Sequence, residues 1–285
     1  MMTTRIFQTK DDRRNKLVDD LREIAIRTWN LMANGNSSGL SINEETITEI
    51  NLLELKLRHP NSVFIKQVSK REEGKIGADW LWAFVGKDNK VFGMCVQAKR
   101  LFTSLLYSSI IENKADPGEQ VNKLIHKASN LTGFTGKKLY PLYINYNTWD
   151  ENKYKKADLV DNNCCEYNGH YERLGCAFVD AYYAKVLIEG SRISLDDYLN
   201  FSHPWSCLIA CTVRNPHSDL AKALCRRFVF RKINDPDMND VEFNEADYLT
   251  SLEEAYLVRS VMLNEVNENT LIEMGVKGVV IIKQD

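Results

Sequence analysis

The sequence predicts an α/β protein whose mixed central sheet is flanked by helices, with an additional α/β half toward the C-terminus. Three observations carry this: two segments of helical period open the chain, a run of three strand-like segments follows, and a helix and a buried strand come after them. A boundary is placed near residue 150, so that 1–150 forms a core with an N-terminal helix and 151–285 an extension, either separate or continuous with that core.

Apolar residues at Leu17, Leu21, Ile24, Ile26, Leu31 and Met32 mark a first helix, broken by the Asn34 to Gly39 run. Ser41 and Glu44 form a capping-box pattern ahead of Ile47, Ile50, Leu53 and Leu57, which recur every three or four residues. A second helix is expected there, ending before Pro60 with that stripe as its buried face and with Glu45 and Glu49 away from it. Val63 to Val68 reads as a strand. Ala78–Val85 and Val91–Lys99 are two more, flanking the turn sequence Gly86-Lys-Asp-Asn-Lys90. A helix follows from Glu119 and a buried strand from Leu139 to Asn147. Later signals are weaker: a helix over Cys176–Ile188, a buried segment over Trp205–Val213 and a last strand over Gly278–Ile282.

Composition narrows the function classes. Hydrophobic residues make up 44% and charged residues 27% of the 285, the balance of a folded protein. The start, Met-Met-Thr-Thr-Arg, lacks the apolar region of a secretion signal, and Tyr198–Val213 is too short to span a bilayer. A cytoplasmic protein without membrane contact is expected, with its seven cysteines as reduced thiols. Cys207, Cys211, His203 and His217 lack the close-spaced pairs of a zinc site. A net charge of −2 argues against a generic nucleic-acid coat, so any such contact must be local. Lys222, Arg226, Arg227, Arg231 and Lys232 form one basic run that could serve as such a contact, but a solvated helix face or a C-terminal helix end is the preferred reading.

The hairpin holds the informative pattern. A turn symmetric about Asp88 pairs Val85 with Val91, Leu81 with Cys95, and Asp79 with Gln97. Opposed residues have Cβ atoms about 5 Å apart, and the strand period of two sends Lys99 to the face of Gln97. The other face collects Trp80, Trp82, Phe84, Phe92, Met94, Val96 and Ala98 and is expected to pack against helices, leaving the Ala83 and Gly93 side shallow and polar.

This order of elements, with an acid on the first hairpin strand and a polar-x-Lys at the end of the second, resembles the PD-(D/E)XK nuclease superfamily over roughly residues 40 to 147. Asp79 matches its aspartate and Gln97-Ala98-Lys99 its (D/E)XK element. The glutamine form resembles Mrr-type restriction endonucleases, and the Gly-Ala-Asp-Trp…Val-Gln-Ala-Lys block looks like that of an uncharacterised bacterial family assigned to this fold. The resemblance implies a restriction-endonuclease-like sheet and a Mg²⁺- or Mn²⁺-dependent endonuclease. It also implies DNA as substrate, duplex in preference to RNA, and a role in bacterial defence, with a homodimer left open. Phosphodiester hydrolysis needs a hard divalent ion that neutralises developing charge and acidifies a water. The implied ligands are Asp79, the Gln97 amide oxygen and the Ala98 carbonyl, with Glu49 acting through water and Glu45 as second choice for that place. Lys99 would orient the water and stabilise charge, and Gln120 and Arg100 would contact substrate. Gln97 replaces a carboxylate, which also supports an inactive relative that only binds nucleic acid or a partner protein.

Overall fold

The computed structural model describes residues 10–68, 79–111, 116–150, 152, 154, 170–211, 218–230 and 244–284, with the backbone alone for 10–15, 79 and 230. Helix α1 spans Lys10–Ser37, past the expected break, because the left-handed turn that ends it falls at Gly39, with φ +70°. Helix α2, Glu44–Arg58, is capped by Asn43, whose side chain accepts from the Thr46 amide at 2.8 Å, and not by Ser41 as the capping-box pattern suggested.

The face that α2 buries also differs from expectation. Ile47, Thr48, Asn51, Leu52 and Leu55 are inside, while Ile50, Leu53 and Leu57 are exposed. Polar contacts choose this face: Thr28 donates to Asn51 at 3.0 Å, and the Thr48 hydroxyl lies 2.8 Å from that of Tyr146. Burial pushes the Tyr146 phenol far up, so it stays protonated and holds the bond.

Strands β1 (Val63–Gln67), β2 (Asp79–Val85), β3 (Lys90–Arg100), β4 (Tyr140–Tyr146), β5 (Cys176–Asp180), β6 (His203–Pro204), β7 (Leu249–Ser251) and β8 (Gly278–Lys283) form one mixed sheet. Its order is β1-β8-β2-β3-β4-β5-β6, and β7 pairs with the first residues of β3. The pairs β8 with β2 and β3 with β4 are parallel, and the others are antiparallel. The segment expected as a helix over Cys176–Ile188 divides at Asp180: β5 precedes it, and Asp180 caps α4, Ala181–Glu189. The C-terminal half supplies β8, which lies between β1 and β2, so both halves of the chain build the same sheet.

Both faces of the sheet are covered. Trp80, Trp82, Phe84, Phe92, Met94 and Val96 pack with α1 and α2. Leu81, Ala83, Val85, Val91 and Cys95 pack in a second layer with α3, Glu119–Asn130, and with α4. The side expected to be shallow and polar is therefore core. Gly93 is small because a Cβ there would lie 2.6 Å from Leu139 Cδ2 and 2.8 Å from Thr135 Cγ2.

Cys95, Cys176, Cys211 and Cys225 form no disulfide, and the Cys207 sulfur lies 3.2 Å from that of Cys211. No helix of the described residues is long and apolar enough to cross a membrane.

Candidate functional site

The β2–β3 register pairs Asp79 with Gln97, Leu81 with Cys95 and Val85 with Val91, as the symmetric turn predicts. Parallel pairing then puts Gln97 beside Tyr143 and Lys99 beside Asn145 of β4. Because both sheet faces are filled by helices, these polar residues find open space only where the strands end.

That space is a cavity of about 340 Å³. From the sheet it is lined by Gln67, Trp80, Gln97, Ala98 and Lys99, and from α2 by Glu44, Glu45, Thr48 and Glu49. Gln120, in the first turn of α3, closes another side. Gln97, Ala98, Lys99, Glu49 and Gln120 thus share one hollow, as does the second choice, Glu45. The Asp79 backbone is opposite Gln97, while its side chain lies outside the described residues.

Each group is held differently. Gln97 is 8% exposed, and its side-chain carbonyl oxygen is buried with no hydrogen-bond donor among the described residues. Leaving such an acceptor unsatisfied costs about 1–3 kcal/mol. Lys99 is 5% exposed, and its ammonium donates to the Ser109 carbonyl at 2.9 Å. Glu49 accepts from the Gln67 amide at 3.0 Å. Arg100 does not line the cavity: it donates to the Ile42 carbonyl at 3.2 Å, approaches Glu44 at 3.7 Å and stacks over Phe102.

A family model described as "Family of unknown function (DUF6615)" matches residues 17–285. The chain belongs to that family. The matched span contains every residue of the cavity. No curated protein and no solved structure matches the chain.

Two groups of the DUF6615 cavity escape motif reasoning. Gln67, on the edge strand, positions Glu49, and Lys277, immediately before β8, lines the hollow and forms an ion pair with Glu45. Neither carries a signal in the sequence beyond one polar residue beside an apolar strand. The basic run noted above is used elsewhere: Lys222 pairs with Asp88, Arg226 with Glu245, and Arg227 stacks over Phe178. Arg231 and Lys232 lie outside the described residues. Tyr140, Tyr143 and Tyr146 are buried in the sheet, and Trp149 packs edge-on against Trp29.

The donor set suits a hard divalent ion. An amide oxygen without a donor among the described residues, a carboxylate and a backbone carbonyl are all oxygen ligands, the type Mg²⁺ and Mn²⁺ take. Among the described residues, no group of three or more His, Cys, Asp or Glu is arranged to hold a metal. An ion here would keep several waters, as Mg²⁺ usually does.

Proposed function

We propose that this chain is a metal-dependent endonuclease that hydrolyses DNA phosphodiester bonds, with a PD-(D/E)XK-type centre. The observation that carries the reading is the buried Gln97 oxygen, without a donor among the described residues, in a cavity shared with Lys99 and Glu49. A folded protein tolerates that cost where a ligand removes it. Asp79, Gln97 and the Ala98 carbonyl would hold Mg²⁺ or Mn²⁺, with Glu49 one water further out. Such an ion, when bound, supplies charge neutralisation and an acidified water. Lys99, fixed by the Ser109 carbonyl, puts positive charge where the phosphoryl oxygens gain negative charge and orients the attacking water. Gln67 keeps the Glu49 carboxylate in place, and Gln120 is positioned to meet the backbone of the substrate. Duplex DNA, a cytoplasmic location, no membrane partner, a role in defence against foreign DNA and a homodimeric state belong to the same reading.

Plasmid incubated with the protein and Mg²⁺ or Mn²⁺ should be nicked or cut. Asp79→Ala and Lys99→Ala should each slow this by about 10²-fold or more, and equal cutting by all three proteins would refute the assignment. A second reading, a non-catalytic binder of nucleic acid or of a partner protein, is favoured by the neutral amide at Gln97. Calorimetric titration with Mn²⁺ separates the two, because retained DNA binding without metal heat supports the binder.

A further inference from the structure

A second hollow, of about 410 Å³, opens at the same end of the sheet. The parallel strands β3 and β4 finish there, at Arg100 and Tyr146. Just past those ends Thr103, Thr148, Trp149 and Tyr154 line it, and Asn36 and Ser37 close it from the last turn of α1. An extended chain covers at most about 3.5 Å per residue, so Thr103 is within about 14 Å of Lys99.

Two buried groups at this hollow are left unused. Thr148 is 5% exposed and Trp149 7%, and neither the Thr148 hydroxyl nor the Trp149 indole N–H has a hydrogen-bond partner among the described residues. The indole cannot turn to find one, because Trp29, Tyr154 and Tyr171 pack edge-on around its ring, with centroids 4.4, 6.1 and 5.7 Å away. An indole N–H only donates, so its missing partner is an acceptor. No lysine, arginine or histidine is among the described lining residues, and Asp150 is the one charged group among them. A phosphate or carboxylate would be repelled, so the acceptor belongs to a neutral group. We infer that this hollow binds a nucleobase by its edge, with a ring nitrogen or carbonyl oxygen accepting from Trp149 and the Thr148 hydroxyl meeting the adjacent polar atom. Base edges present such atoms side by side on an uncharged ring, and the volume lies in the range of small-molecule pockets. The place beside Lys99 favours a base of the bound strand, turned out of its stack, and that source rests on the nuclease reading. A free nucleoside is the other source of the same chemistry and needs no cutting.

The test is calorimetric titration of the full chain with adenosine, guanosine, cytidine and thymidine, joined to titration of an oligonucleotide that carries a fluorescent purine analogue, with Ca²⁺ in place of Mg²⁺. At least one nucleoside should bind, and its monophosphate no more tightly. Trp149→Phe keeps a ring without the N–H, and Thr148→Val keeps the shape without the hydroxyl. Each should weaken that binding by about fivefold, with the melting temperature unchanged or higher, since neither removes a described hydrogen bond. A merely structural role would lower the melting temperature and leave the affinity alone. An analogue that brightens on binding, and does so less in both variants, shows the base to come from the strand; nucleoside binding without that signal shows a free nucleoside. If the wild type cuts plasmid, Lys99→Ala does not, and neither nucleoside heat nor analogue signal is seen, the inference falls while the nuclease reading stands. If a nucleoside binds through Trp149 and Thr148 but nothing is cut, the inference stands and the nuclease reading falls. Should Trp149→Phe not fold, unchanged affinity in Thr148→Val overturns the inference by itself.

Discussion

The two ends of the β2–β3 hairpin each border a hollow, of about 340 Å³ at the Gln97 end and about 330 Å³ at the turn. Their polar groups are treated in opposite ways. At the turn, Asp219 is 5% exposed and fully used: it accepts from the Asp88 amide at 2.8 Å and from the Lys222 amide at 2.9 Å, capping α5, Leu220–Cys225. Gln284 accepts from the Leu220 amide at 2.7 Å and donates to the Ser218 carbonyl at 3.0 Å. Lys222 and Asp88 close the rim, where the bond from Lys222 holds the Asp88 carboxyl below its usual range and Asp88 raises Lys222 in return. At the other end Gln97, about as deeply buried, has a side-chain carbonyl without a donor among the described residues. Burial is the same at both ends. What differs is whether the described residues complete the hydrogen bonds, and the end they leave incomplete is the one suited to a ligand.

Substitutions at each end can break this contrast. The largest effect on stability is expected from Gly86→Ala, because a Cβ there would lie 2.2 Å from both carboxylate oxygens of Asp219. Displacing that buried, capping carboxylate should cost about 3 kcal/mol in urea unfolding. Asp219→Ala comes next, at about 2 kcal/mol, from the lost cap and the stranded Asp88 amide. Plasmid cutting per folded molecule should stay at the wild-type rate in Asp219→Ala, since the turn is at the opposite end of the hairpin. The smallest change in stability belongs to Gln97→Leu, which removes an unsatisfied acceptor and should shift unfolding by no more than about 1 kcal/mol, in either direction. The same variant should cut no plasmid. A loss of more than about 2 kcal/mol there would show that the amide has a structural task, and the contrast between the ends would disappear.

Much of the hairpin was legible because its information is local. A five-residue turn and a period of two are enough to set Asp79 against Gln97 and to put Lys99 on the same side. The existence of α2 was legible for the same reason, but its buried face was not. Ile50, Leu53 and Leu57 satisfy the helical period as well as Leu52 and Leu55 do, and the choice was made by Thr28 on α1 and Tyr146 on β4, which bind the polar residues Asn51 and Thr48. That rotation leaves Glu45 and Glu49 at the cavity.

Residues a few positions apart therefore declared the strands, their pairing at the turn and three groups of the candidate centre. The cavity itself required contacts between segments nearly two hundred residues apart, above all the parallel pairing of Trp80 with Gly278. A short apolar strand such as β8 has no mark of which strand it will join, because parallel partners share no turn to set their register. Only packing of the whole sheet brought Gln67 and Lys277 to the ends of the strands, where the covering helices leave room for a ligand.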